Sequence, residues 1–510
     1  AALAGPDPPL WPLPRTYTRG RLRAVLAGRA EFGISASPPA LRPAFERFLQ
    51  RLFLHGTAGA TALPEAGHIT GVDVRVADAD AELQLGHNET YRLDVPVDGR
   101  VQITAQTVFG AYHALESLTQ LVSMNFSSGA YEVERVPWHI EDAPRFPHRG
   151  LLVDSGRHFQ PVPVLKALLD SMAMAKLNVL HWHLTEDQSW PLASRVHPEF
   201  PAKGAWSPSE QYSWGELRDV VAFARARGIR VVPEFDMPGH STSWRYAHPE
   251  IFTSSCQATE RGALDPAKNR TFEIIEELLR DWADVFTDRA FHLGTDEVPV
   301  ECWNNSADRA FMQRMGLATA NDLFDYFIGR IHAIARALGK RPSFWDEAID
   351  LARPPADSVI GIWRAWLGPA LLQKAVRSGH DVVFSPDGPW YLDGLDSTWQ
   401  AMYTKDPTEG LGTAEAEHIL GGEGCMWGET VDASNVEATV WPRLAAVAER
   451  LWSPAAAAAS AEAAAPRFEA FRCLLLARGV RAGPGGSSGR AAPPGPGSCL
   501  QSSGGPALFA

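Results

Sequence analysis

The sequence contains no run of about 18 consecutive apolar residues, so nothing in it reads as a transmembrane helix. It also lacks a basic stripe. Its 47 Lys and Arg are outnumbered by 60 Asp and Glu, and the net charge of −13 argues against a nucleic-acid partner. There is no initiating Met and no basic n-region, so Ala1-Ala2-Leu3-Ala4-Gly5 reads as a processed end, compatible with a removed signal peptide. Cysteine is scarce; the five present allow several pairings in a secreted chain. Apolar residues are not scarce: at 45% of 510 residues they supply two or three domains, or a large barrel with an added domain. The 17 Trp are suggestive, because sugars present flat apolar faces against which aromatic rings pack. Sequons at Asn88, Asn125, Asn269 and Asn304 fit a secretory route.

Residues from about Trp11 to Glu141 mix short strand-like runs with one helix. Arg51–Leu54, Gly71–Val76, Glu89–Val95 and Val101–Thr104 read as strands. Between Val108 and Val122 apolar residues recur at helical spacing. This predicts a small α+β accessory domain over 1–143, bounded by the prolines between Ile140 and Pro147. From Arg149 the pattern alternates: eight apolar strands beginning near residues 150, 177, 229, 291, 342, 359, 381 and 418, separated by helical stretches. Nearly every strand ends in ionisable or aromatic residues. Eight such units predict a (β/α)8 TIM barrel, whose functional groups gather at the C-terminal strand ends; a doubly wound open sheet would not need polar groups at so many of them. The barrel, with C-terminal helical pieces at 454–467 and 468–480, is expected over 144–482, and the Gly/Pro/Ser-rich stretch 483–510 as a poorly ordered tail.

The central stretch is Phe291–Val298, an apolar strand ending in adjacent Asp296 and Glu297. Side chains alternate along a strand, so both carboxylates can serve one pocket only where the chain bends. Crowded there, they repel, and whichever is desolvated gains pKa.

Several segments together resemble glycoside hydrolase family 20, in the order and spacing of lysosomal β-N-acetylhexosaminidases. These are the runs around Arg157, Glu186, His240, Asp296-Glu297 and Trp427-Gly428-Glu429, and the resemblance extends from Leu10 to about Cys499. It implies an exo-acting, retaining hydrolase of terminal β-linked N-acetylglucosamine and N-acetylgalactosamine in which the substrate's own acetamide is the nucleophile. Glu297 is then the general acid and base, and Asp296 orients the acetamide, whose oxygen Tyr391 would hydrogen-bond. Trp345, Trp363 and Trp427 would wall the pocket, Arg157, Asp393 and Glu429 would bind hydroxyls, and Glu186 with His240 would form a charged pair behind Glu297. The resemblance further implies Cys256–Cys302 and Cys473–Cys499 disulfides with Cys425 free, no cofactor or metal, glycan substrates, a homo- or heterodimer, and a lysosomal or secreted location. Asp393-Gly394, without an Arg, is similar to the subunit type that prefers neutral substrates.

Two positions depart from the family pattern. Thr295 replaces a usual Gly, and Glu186 replaces Asp. Other readings are a catalytically inactive glycan-binding barrel and a metal-dependent hydrolase. The first would lack Asp296 or Glu297, and both are present. For the second, His181, His183 and His240 are the candidate ligands, although a hydrogen-bonded core role suits His181 and His183 better.

Overall fold

The structure, a computed structural model, describes residues 8–39, 41–55, 66–256, 262–458, 460–484 and 499. The first part of the chain forms seven strands: β1 (Thr16–Leu26), β2 (Gly33–Ser37), β3 (Gly67–Asp78), β4 (Tyr91–Val95), β5 (Gly99–Thr107), β6 (Val122–Asn125) and β7 (Ala130–Asp142). They pair in the order β1-β3-β5-β4-β7-β6, with β2 on β3 and β1 also antiparallel to β7. Helices Leu41–Leu52 and Val108–Leu121 accompany this sheet. Arg51 and Leu52 therefore close a helix and do not open a strand as expected. The four-residue window hid the apolar spacing of Leu41, Phe45, Phe48 and Leu52, which places one face on the core.

The next eight strands close a parallel barrel: β8 (His148–Asp154), β9 (Val179–Thr185), β10 (Arg230–Met237), β11 (Ala290–Gly294), β12 (Arg341–Trp345), β13 (Val359–Ile362), β14 (Asp381–Phe384) and β15 (Ile419–Met426), with β15 returning to pair with β8. This is the TIM architecture the strand pattern predicts. Local signals agree with it: the helices Trp214–Arg225 and Ala320–Ala337 each begin with a capping box, Ser213/Glu216 and Thr319/Asp322. At the C-terminal end the two expected pieces are one helix, Ala461–Ala477, running through Pro466. Tertiary packing outweighs the proline here, since Phe468 stacks on Trp399 at 4.2 Å and meets Trp11 edge-on. Most of the tail lies outside the described residues, but Cys499 is joined to Cys473, as Cys256 is to Cys302, while Cys425 is free and buried.

The accessory sheet and the barrel are clasped by buried charge. Arg149 at the start of β8 reaches Glu89 at 2.5 and 2.9 Å, and His113 holds the same carboxylate at 2.8 Å. Lys176 and Trp452 both donate to Asp142. Among the described residues no helix is long and apolar enough to cross a membrane. Of the sequon asparagines, Asn88, Asn269 and Asn304 are exposed, whereas Asn125 is half-buried and its Nδ2 donates to Glu132.

Candidate active site

The bend expected after the central strand is built from left-handed backbone. Gly294, Thr295 and Glu297 have φ of 65°, 81° and 46°. Gly294 has a second reason to be glycine: a Cβ there would fall 1.6 Å from Asp236 Oδ1. Thr295, fully buried, is a β-branched residue where glycine fits best, and its hydroxyl donates to the Gly294 carbonyl. The run turns both carboxylates of the pair into one pocket.

That pocket, about 150 Å³ at the C-terminal mouth of the barrel, is lined by Arg157, His240, Asp296, Glu297, Trp345, Trp363, Tyr391, Asp393, Trp427 and Glu429. The structure thus brings together ten of the eleven residues singled out above. Glu186 stands apart: fully buried behind the pocket, it accepts from His240 Nδ1 at 2.7 Å and pairs with Arg157 at 2.7 Å. Its place is to hold two pocket residues and not to line the pocket itself. The far side of the His240 ring faces the catalytic pair, with Nε2 3.4 Å from Glu297 and 3.6 Å from Asp296.

The electrostatics separate the two carboxylates. Burial pushes the Asp296 carboxyl above its usual pKa, with His240 opposing and Glu234 and Glu186 adding to the rise. Glu297 is the more open of the two, its side chain 43% exposed. Desolvation therefore falls on Asp296. Arg157 is braced by Asp154 at 2.8 Å, by Glu186, and by Glu429 at 3.5 Å, and it lies over the Trp427 ring. Trp345 and Tyr391 each stand 6.1 Å from Trp427, and the Trp363 indole donates to Glu347. Three buried polar atoms of the pocket, Asp296 Oδ1, Asp393 Oδ1 and Trp427 Nε1, have no hydrogen-bond partner. They are poised for a ligand carrying both donors and acceptors, as a sugar does.

A larger cavity, about 310 Å³, lies at the opposite, N-terminal end of the barrel between His148, Arg230, His292 and Arg341. It contains none of the carboxylate pair or the aromatic wall, so size does not locate the chemistry here. Glu234, Glu423 and His292 escaped the sequence reading; they sit within apolar strand runs, and only the inward alternation along barrel strands could have pointed to them. His181, Glu234 and His292 offer donor atoms close enough together for a metal ion, a set the sequence reading lacked because it did not include His292.

A parallel eight-stranded barrel with an acidic pair, an aromatic box and a braced arginine at its C-terminal mouth defines a glycosidase. The comparisons narrow the class: residues 146–455 match glycosyl hydrolase family 20, catalytic domain, and residues 10–121 match the beta-acetyl hexosaminidase like domain. Beta-hexosaminidase 1 of Arabidopsis thaliana is 37% identical over 97% of this chain and 95% of its own length. Beta-hexosaminidase subunit beta of Homo sapiens is 34% identical over 94% of this chain and 89% of its own. The solved chitobiase of Flavobacterium johnsoniae superposes with a TM-score of 0.82 at 30% identity, covering 92% of this chain and 73% of that one. The chain belongs to glycosyl hydrolase family 20, and it is a glycosidase of the β-N-acetylhexosaminidase type.

Proposed function

We propose that this enzyme removes terminal β-linked N-acetylglucosamine and N-acetylgalactosamine by a retaining, substrate-assisted route. The observation that carries the reading is the bend Gly294–Glu297, which delivers a buried carboxylate and a more open one to the same pocket. Asp296 Oδ1, buried and without a partner, is suited to take the acetamide N–H and to stabilise charge as the amide oxygen attacks the anomeric carbon. As that C–O bond forms, the glycosidic C–O bond breaks and Glu297 gives its proton to the departing oxygen. Water then attacks the anomeric carbon, the oxazolinium C–O bond opens, and Glu297 takes the proton back. Over one turnover the proton account at Glu297 closes. The route is tested with Glu297→Gln, which keeps shape and loses the proton. Turnover of unactivated glycosides should fall by roughly two to four orders of magnitude, and that of substrates with good leaving groups by much less. Equal losses on both would remove Glu297 as the acid.

The same pocket supports a preference for uncharged terminal sugars. Asp393, with Glu429 in the same pocket, would stand beside the outer hydroxyls, and Gly394 brings no cation. Arg443 reaches the backbone of this loop, donating to the carbonyls of Leu392, Gly394 and Ser397. We further propose an acidic lysosomal or secretory setting, which the exposed sequon asparagines support.

A further inference from the structure

Behind the pocket the barrel interior carries an alternating chain of imidazoles and carboxylates that the reaction as written does not use. His148 Nε2 meets Glu423 at 3.1 Å, and the other Glu423 oxygen meets His181 Nδ1 at 2.8 Å. His181 Nε2 stands 2.9 Å from Glu234, which stands 2.9 Å from His183 Nδ1. His183 Nε2 is 3.7 Å from Glu186, and Glu186 holds His240 against the catalytic pair. Glu234 is the junction of the chain: besides His181 and His183 on β9 it has His292 Nδ1 on β11 at 3.0 Å, and it accepts the indole N–H of Trp345 on β12 at 2.8 Å. Trp345 is a wall of the substrate pocket.

We propose that Glu234 is a positioning residue for the glycosidase, its one carboxylate orienting the Trp345 wall and, through His183, Glu186 and His240, fixing the charge presented to Asp296 and Glu297. The proposal rests on the function proposed above. A proton conduit is not needed, since Glu297 recovers its own proton each turnover; what the site needs from the chain is a fixed geometry and a fixed charge.

The charge pattern agrees with that role. Burial alone would strip His181 of its proton, but Glu423 and Glu234 outweigh it and push its pKa up to about 9. His183 and His240 are also lifted well above the usual imidazole range, against burial, by Glu234 and Glu186 respectively. Glu234, Glu186 and Glu423 are held below the usual carboxylate range, again against burial, by their histidines. Three carboxylates thus alternate with three imidazolium ions, and the last of these faces the catalytic pair. The remaining neighbours are His148, which burial pushes below the usual imidazole range, His292 beside Glu234, Arg157 beside Glu186, Asp154 near His183, and Asp236 on the strand of Glu234. Burial, and then Asp296, push the Asp236 carboxyl well above the usual carboxylate range.

The test compares wild type with Glu234→Gln, His183→Gln and Trp345→Phe on a chromogenic β-N-acetylglucosaminide across the pH range. Glu234→Gln removes a buried negative charge, so the basic limb of kcat/KM should move to lower pH by about half a unit or more. His183→Gln removes a positive charge and should move the limb to higher pH. Trp345→Phe removes the indole N–H and part of the wall's volume but changes no charge; KM should rise several-fold with the limb unmoved. In Glu234→Gln the KM rise and the limb shift should appear together, with kcat down roughly tenfold or more. A folded Glu234→Gln with a lower thermal midpoint but wild-type KM and limb would reduce Glu234 to a structural residue and overturn the proposal. So would a Trp345→Phe limb shift as large as that of Glu234→Gln. If Glu234→Gln does not fold, the direction of the His183→Gln shift decides. A wild type inactive on this substrate would instead sink the proposed function, so the two failures are distinguishable.

Discussion

At the scale of single residues, the role proposed for Asp393 would make substrate preference depend on pH. Burial, with Glu429 adding, pushes its carboxyl up to about 6. In the proposed arrangement the ionised Asp393 would repel a 6-sulfated sugar above that value, and the repulsion would fade as it protonates below it. The preference in kcat/KM for neutral over 6-sulfated substrate should therefore be roughly tenfold greater near pH 7 than near pH 4.5. Asp393→Asn should flatten the difference, and a ratio independent of pH in the wild type would contradict the assignment. Adding Gly394→Arg should narrow the remaining gap by supplying a cation.

At the scale of elements, the turn after β11 matters most. Thr295 at φ 81° stores strain of about 1–3 kcal/mol, the range for a side chain held in left-handed backbone. Thr295→Gly relieves that strain, while it costs about 0.5–1 kcal/mol in added chain freedom and loses a buried methyl and the hydroxyl's bond to the Gly294 carbonyl. Unlike other large-to-small changes in this core, it should leave the thermal midpoint nearly unchanged, and it should lower kcat several-fold by loosening Asp296. A clear drop in the midpoint would show that the strain is absent. This turn also shows how far the sequence could be read. A strand closing on Asp296-Glu297 and most of the other strand ends were legible because barrel chemistry concentrates at those ends, and Arg157, His240, Trp427 and Glu429 lay in multi-residue motifs. Glu234 and Glu423 were not legible: a carboxylate inside an apolar strand gives no periodic signal, and its partners come from other strands. The passage through Pro466 was misread for a related reason, since its form is decided by packing against distant segments, whereas helix Leu41–Leu52 carries a helical spacing that a four-residue window hides.

At the scale of the molecule, the raised carboxyls set where the fold is most stable. Glu347 is pushed up to about 8 by burial and by Asp296 and Asp346, and Asp308 to about 7 by burial and Asp265; Asp393 sits near 6. Each binds its proton more tightly folded than unfolded, so its contribution is fully present below the ordinary carboxylate pKa and is lost as pH rises through the folded value. Glu89 works in the opposite sense: Arg149 and His113 hold it well below the usual range against burial, so its clasp loosens only as pH falls through that low value. Between these limits lies an acid window, and the thermal midpoint should be higher near pH 5 than near pH 8. A midpoint that rises toward pH 8 would refute this balance.

The clasp between the two domains also orders events during synthesis. Trp11 and Leu13 are tied to Ala445 and Glu449, and Asp142, at the end of the accessory sheet, is tied to Trp452. On a ribosome the accessory sheet emerges before the barrel; Arg149 and Lys176, partners of its buried Glu89 and Asp142, follow closely, whereas Trp452, which packs into its core and also donates to Asp142, comes only after the last barrel strand. The accessory domain is therefore made before the barrel yet finished only after it, and until Ala445, Glu449 and Trp452 have emerged part of its clasp face waits unpaired.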